Sequence, residues 1–294
     1  STAFRNDLII RGGSPAENKF YLDDIEIPNI NHFSTQGGSG GPVGLINVDF
    51  IREVNFYSSA FPADRGNTLS STMDIRLRDG RDDRWGGTVT LGITEAALSM
   101  ESPLNKKKSA TILASVRASY YNWFFKLIQV PIFPNYNDAQ IKIKWKINPK
   151  NELEFLSLTA CDIFKLNLNA NSTELQQYQL RSIPENNQWS YTNGIKLTHF
   201  FNNSYLQTVV SSSELVNDIV KYTDNNHSLP KTINYSSIES ESKLRMEYIA
   251  NKNGWRSYAG INYGFEYYYN HSQFTGAYFA YNYLSKQKHC LSRR

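Results

Sequence analysis

The sequence has little cysteine, no long apolar run and little net charge, and each shortage excludes something. Two cysteines, Cys161 and Cys290, among 294 residues are too few for a disulfide scaffold or a zinc site, so both read as unpaired thiols. No stretch of about 18 apolar residues occurs, which excludes a transmembrane helix. A transmembrane barrel is not excluded, because its alternating strands average out as polar, in keeping with a mean hydropathy of −0.50. A net charge of +4 gives no warrant for nucleic-acid binding. No signal peptide opens the chain. It begins STAFRNDLII and ends KQKHCLSRR, and we read it as an internal fragment whose missing targeting signals say nothing about compartment.

What is present changes texture near residue 83. Before it lies a compact segment rich in Gly, Asp and Asn. It reads as short strands at Leu8–Arg11, Lys19–Asp23, Ile25–Ile27, Ile51–Tyr57 and Met73–Leu77, with a Gly/Pro-rich loop at 34–44 and a helical turn within Val43–Asp49. After it come long runs of two-residue alternation. Ile112, Ala114, Val116, Ala118 and Tyr120 alternate with Leu113, Ser115, Arg117 and Ser119. Ala139, Ile141, Ile143, Trp145 and Ile147 alternate with Gln140, Lys142, Lys144 and Lys146. The same pattern recurs at Leu244–Ala250 and at Trp255–Tyr269. Alternate side chains of a strand point to opposite faces, so each run has one apolar and one polar face.

Tight polar turns are expected at Ser102–Lys107, Asn148–Asn151, Asn202–Asn203 and Asn251–Gly254, with longer Asn-, Ser- and Tyr-rich stretches such as 164–187 and 221–234 between them. Short turns at one end and long loops at the other are the habit of outer-membrane barrels. Trp145 and Trp255 would then sit at the periplasmic interface and Trp189 near the outer one. A soluble β-sandwich also alternates, but several runs here are longer than the roughly 5–6 residues of an average sandwich strand.

Three stretches carry a resemblance: IIRGGSPAENKFYLDDIEIPN (9–29), NVDFIREVNFYSSAFPADRG (47–66) and MDIRLRDG (73–80). In order and spacing they resemble the C-terminal half of the plug domain of TonB-dependent outer-membrane receptors, nearest the Bacteroidetes-type receptors. There are departures. The usual Asp-Gly is Asp23-Asp24, the aromatic before Gly66 is Arg65, the Arg-Gly-Pro after the second strand is Ser58-Ser59-Ala60, and the small Gly/Ala run is Thr68-Leu69-Ser70-Ser71.

The resemblance implies a mainly β fold: a small α/β plug domain (1–82) followed by an antiparallel transmembrane β-barrel (83–294), incomplete in this fragment. A barrel wide enough to hold a folded plug needs about 22 strands, and only eight or nine are expected after residue 83. It implies energised uptake of a scarce nutrient across a Gram-negative outer membrane, an iron-siderophore or other metal chelate first, with glycan or cobalamin behind. The implied partners are the TonB-ExbB-ExbD energy-coupling complex, outer-membrane lipid and a small-molecule nutrient; no cofactor, metal or nucleic acid is implied. Arg11 is expected to make an ionic contact between plug and barrel, with Glu101, Glu154 and Glu266 as candidate partners or a partner in the missing half of the barrel; the bland alternative is a surface arginine paired with Asp23 or Glu26. Gly12, Gly13 and Gly66 are expected to serve the plug's backbone. Asn29, Asn31, His32 and Phe33 are expected at a ligand-facing apex.

Other signals are weaker. GGSGGP (37–42) has nucleophile-elbow spacing around Ser39, but a nucleophile needs a base and an orienting acid, and only His32 lies upstream. The five histidines show no metal-ligand spacing. Asp23-Asp24 and Asp82-Asp83 are adjacent carboxylates, better suited to turns than to calcium or glycoside chemistry. An enzyme is therefore not expected. The competing reading is a surface β-sandwich that binds glycan, which predicts a closed two-layer core from residues 85–270. The receptor predicts one curved sheet with Ile141, Ile143 and Ile147 pointing away from the plug. A third reading is a fragment that never closes a barrel.

Overall fold

The computed structural model describes residues 7–34, 38, 40–275 and, as backbone alone, 282–293. Among them the chain builds two sheets. The small one is made of β1 (Asn18–Leu22), β2 (Ile25–Ile27), β3 (Ile51–Tyr57) and β4 (Ser71–Leu77), in the order β2-β1-β4-β3. β1 runs parallel to β4 and the other pairs are antiparallel. These strands agree with the expected ones to within two residues, except that Leu8–Arg11 forms no strand. There Ile10–Gly13 is a tight turn closed by Gly13 N–H donating to Ile10 O at 3.0 Å. Arg11 and Gly12 occupy its centre with φ of 53° and 76°, the two positive values that a type I′ turn requires. The expected helical turn is a single 3-10 turn at Val48–Phe50.

The large sheet has ten strands, one or two more than expected: β5 (Gly86–Leu91), β6 (Glu95–Pro103), β7 (Ala110–Ser119), β8 (Ile132–Asn148), β9 (Asn151–Leu166), β10 (Glu185–Phe200), β11 (Ser204–Tyr222), β12 (Lys231–Lys252), β13 (Trp255–Thr275) and β14 (Asn282–Arg293). They pair in strict sequence order, so β5 and β14 are free edges and the sheet is unclosed. Short connections at one end fall at 104–109, 149–150, 201–203 and 253–254, at or beside the turns read from the sequence, and a further short one, 92–94, lies at the other end. At that other end two longer connections carry helices that the alternation did not foretell: α1 (Tyr121–Leu127) and α2 (Glu174–Ser182). In α2 the Thr173 hydroxyl accepts from Gln176 N–H while the Gln176 side chain bonds the Thr173 backbone, a capping box that satisfies two otherwise orphaned donors.

The small sheet packs against one face of the large one. Phe20, Leu22, Ile25, Ile27, Phe50, Ile75 and Leu77 form one buried cluster with Leu113, Leu156, Leu158 and Val209 of β7, β9 and β11. Polar contacts extend this interface from Glu101 on β6 to Arg245 on β12. Seven adjacent strands spaced about 4.8 Å apart thus touch one small unit, which requires the sheet to curve around it. Gly194 on β10 permits a close approach: a Cβ there would lie 2.4 Å from Ile25 Cδ1.

The far face is apolar and open. Leu98, Val116, Ile147, Trp189, Ile195, Val210, Met246 and Ile261 are all exposed, while their neighbours Gln140, Lys142, Lys196 and Arg245 are buried against the small sheet. Lys142 faces inward, so Ile141, Ile143 and Ile147 point away from it. The sandwich alternative fails here, because among the described residues 85–275 supply one layer and no second sheet covers it. β8 to β13 run for 16 to 22 residues, more than the roughly 9–11 that a membrane-spanning strand needs. No helix among the described residues is long and apolar enough to cross a membrane.

Candidate functional site

The chemistry of this chain is concentrated where the small sheet meets the wall. β1 and β2 are joined by Asp23 and Asp24, with φ of 49° and 72°, and Leu22 pairs with Ile25 across the turn. A type I′ hairpin favours Asn-Gly or Asp-Gly at this point, and a second L-residue in the left-handed region costs roughly 1–2 kcal/mol. The second aspartate is held by what it touches. Arg65 Nη2 donates to Asp24 Oδ1 at 2.7 Å, and Arg76 donates to both oxygens at 2.7 and 2.8 Å. From the wall, Lys196 Nζ reaches Asp24 Oδ2 at 3.2 Å and Arg245 Nη2 donates to the Asp24 carbonyl at 2.7 Å. Asp74 accepts a further bond from Arg65 at 2.7 Å.

Asp23 points a different way. Its Oδ1 accepts from Leu77 N–H at 3.1 Å, and its Oδ2 lies 3.0 Å from Lys142 Nζ on β8. Lys142 also reaches Asp79 at 3.0 Å and the Leu77 carbonyl at 3.1 Å. The two neighbouring carboxyls therefore titrate apart. Burial raises Asp23 above the ordinary carboxylate range despite Lys142. Burial acts in the same direction on Asp24, but Lys196, Arg76, Arg65 and Arg245 outweigh it and hold Asp24 far below that range. Tyr21 lies beside them with Arg65 Cζ 4.5 Å and Arg245 Cζ 5.8 Å from its ring centroid; burial and nearby Glu26 push its hydroxyl up to about 12.

A second set of contacts lies toward the helix-bearing end. Ile30 and His32 pair with Leu45 and Val43 through backbone bonds of 2.8 and 2.9 Å, and Asn31 bridges Gly44. The His32 ring is wholly buried. Its Nδ1 lies 2.6 Å from Asp162 Oδ1 on β9 and its Nε2 lies 3.1 Å from Asp138 Oδ2 on β8. Phe33 N–H donates to the other Asp162 oxygen at 2.7 Å, and Phe33 has φ of 56°.

The residues singled out from the sequence are thus redistributed. Arg11 is exposed at its turn, and among the described residues it makes no ion pair. Four of the five carboxylates expected for it pair elsewhere: Glu101 with Arg78, Glu154 with Lys196, Asp23 with Lys142, and Glu26 with Lys19 and Lys243. The reason is local, since the I′ turn that needs Arg11 and Gly12 at its centre points the arginine to solvent. Gly13 is needed for packing, because a Cβ there would sit 1.8 Å from Ser70 Oγ. Gly66 lines a cavity of about 440 Å³ between the small sheet and β12–β13, and a Cβ there would meet nothing within 4 Å. His32, expected to face ligand, is a wall contact instead, because both ring nitrogens are taken by wall carboxylates. Asn29 is buried and Asn31 is half-buried. Ser39 lies outside the described residues. Asp138 and Asp162 cannot share a metal with His32, since each faces a different ring nitrogen, and no group of three or more His, Cys, Asp or Glu suited to a metal occurs among the described residues.

No protein-family model matches the chain. A 155-residue stretch is 29% identical to the nisin biosynthesis protein NisB of Lactococcus lactis subsp. lactis, covering 51% of this chain and 14% of that protein. Solved structures match far more of it. The ferripyoverdine receptor of the Pseudomonas aeruginosa outer membrane superimposes with a TM-score of 0.63 at 13% identity, over 96% of this chain and 40% of that one. The copper transporter OprC gives 0.63 at 7% identity over 92% and 42%. The siderophore receptor PirA from Acinetobacter baumannii gives 0.58 at 10% identity over 91% and 43%. The fold is that of part of the plug and barrel of a TonB-dependent receptor. The chain spans about two fifths of these receptors' length, and identities this low establish fold alone. In this fold the small sheet takes the place of the plug and the large sheet that of the barrel wall.

Proposed function

We propose that the chain is a portion of a TonB-dependent outer-membrane receptor, with the C-terminal half of the plug in residues 1–82 and the first barrel strands in residues 83–294. The observation that carries the reading is the two-sided wall. One face ties the plug by buried lysine and arginine contacts, such as Lys142 to Asp23 and Lys196 to Asp24. The other presents Leu98, Val116, Ile195 and Val210 to the surroundings, an outward apolar band of the kind a barrel turns to hydrocarbon. A soluble protein would leave that band open to water, where exposed patches of this size are rare.

The work assigned to the receptor is energised uptake of a scarce nutrient, an iron-siderophore or other metal chelate first. The fold neighbours that are named as siderophore receptors and a copper transporter support that order. The TonB-ExbB-ExbD complex supplies the pull on the plug, and no catalytic step is assigned to the chain. Polar and ionic plug contacts suit such work, because they can exchange for water as the plug moves. Deleting the gene and following growth on single iron, copper, vitamin or glycan sources tests the reading. Loss of growth on one iron or copper chelate, restored by the complete gene, is expected; unchanged uptake of every compound would refute transport.

A further inference from the structure

We propose that His32 is a proton-operated clamp: with both ring nitrogens protonated it fixes the plug segment 30–33 to β8 and β9 together, and loss of one proton releases it from β8. The inference rests on the plug-and-wall reading and adds to it a means of regulation.

Charge favours the doubly protonated ring. The groups facing the buried ring are Asp138 and Tyr136 on β8, Asp162 on β9 and Arg117 on β7. Arg117 Nε donates to Asp138 Oδ2 at 2.8 Å, and its Nη2 lies 3.4 Å from His32 Nε2. The Tyr136 ring lies tilted against the imidazole with ring centroids 4.3 Å apart, and its hydroxyl bonds the Glu95 carboxylate of β6. Segment 41–45, which packs on the other side, brings no charged residue. Two carboxylates are therefore balanced by Arg117 and an imidazolium. A neutral imidazole leaves one negative charge uncompensated in a dry contact, where such a charge is costly.

Hydrogen bonding leads to the same state. A neutral imidazole has one N–H and one lone pair, yet a carboxylate oxygen sits within 3.1 Å of each nitrogen. Only the doubly protonated ring can donate to both. On deprotonation the Asp162 bond is the one retained. It is the shorter at 2.6 Å, and the second oxygen of the same carboxylate is anchored by Phe33 N–H. Nε2 then presents a lone pair to Asp138 and becomes an acceptor for Arg117 Nη2. Arg117 Nη2 also donates to the Gly44 carbonyl at 2.6 Å, so a shift of Arg117 toward His32 is felt in the segment that pairs with 30–32. Burial alone would lower the affinity of the ring for its proton, but the two aspartates raise it above the ordinary histidine value. The clamp is accordingly complete below about pH 6.5 and is lost as pH rises through the folded-state value.

The test is hydrogen exchange of peptide 29–34 in the complete receptor in detergent, corrected for intrinsic rate, between about pH 6 and pH 9. Protection is expected to fall about tenfold or more with rising pH, while peptide 18–22 of β1 stays constant. His32→Gln is expected to give low protection at every pH. Asp138→Asn, whose amide can donate to a neutral Nε2, is expected to keep protection at the alkaline end. Constant protection in the natural protein, or a natural pH profile in His32→Gln, would overturn the clamp. If His32→Gln does not fold, the natural protein and Asp138→Asn decide: an Asp138→Asn profile that falls like the natural one also overturns it. Exchange is read without any substrate, so a receptor that imports nothing can still show the clamp, and an importer can lack it.

Discussion

Replacing Asp24 by Asn changes a single charge at the point where plug and wall meet. Asn keeps the shape of Asp and tolerates a positive φ, so the turn with φ of 72° is spared. What is lost is the anion shared by Arg65, Arg76, Lys196 and Arg245. Removing one partner of a buried ionic group strands the others and costs about 3–5 kcal/mol. The lower end applies here, because Asp74 still holds Arg65 at 2.7 Å and Glu154 still holds Lys196 at 3.1 Å. A loss of about 3 kcal/mol is roughly a hundredfold in an opening equilibrium. Hydrogen exchange of β1–β2 in the complete protein should show protection falling by about that factor, with β8–β10 unaffected. The natural protein should show a matching acid dependence. Asp24 is held below its ordinary value, so its contribution is full above about pH 3.9 and is lost as pH falls toward the folded value. Asp24→Asn should abolish that dependence. Protection within about threefold of the natural protein would refute the view that this carboxylate ties plug to wall.

Further expectations follow from the two faces of the wall. Ile141→Lys places a charge near the middle of β8 on the outward side and should cost about 2–4 kcal/mol of folding into lipid vesicles, read by urea titration; an unchanged midpoint would mean that this face does not meet hydrocarbon. Gly194→Val drives a side chain into Ile25, whose Cδ1 lies 2.4 Å from the position of a Cβ. It should loosen the plug by about 1–3 kcal/mol, seen as faster exchange in 25–27 with the barrel intact, and natural exchange rates there would show that the approach is not tight.

The parts of the fold that were legible are those written in local periodicity. Alternation at Gln140–Ile147 placed Lys142 inward and Ile141 and Ile143 outward without any tertiary information, because a strand offers only two faces. Polar residues at 148–151 and 251–254 marked the turns for the same reason. The site was less legible, yet a trace of it was present. Two departures from the receptor motifs, Asp24 for the usual glycine and Arg65 for the usual aromatic, lie 41 positions apart and meet at 2.7 Å. Each alone reads as drift; the structure shows one as the counter-charge of the other. His32 gave no such trace, since its partners are 106 and 130 residues away, and a histidine beside a glycine-rich loop reads as exposed. Arg11 shows the converse: the family pattern named a charge, and the turn at Ile10–Gly13 sets the direction in which it leaves the small sheet.

The sequence by itself determined that the later residues form long strands with one wet and one greasy face, because side-chain direction in a strand depends only on parity. Which carboxylate meets which cation was decided by tertiary structure alone. That choice depends on how far the small sheet sinks against the wall and on which wall positions are small enough to admit it, as Gly194 admits Ile25, and no local pattern encodes a distance between residues so far apart in the chain.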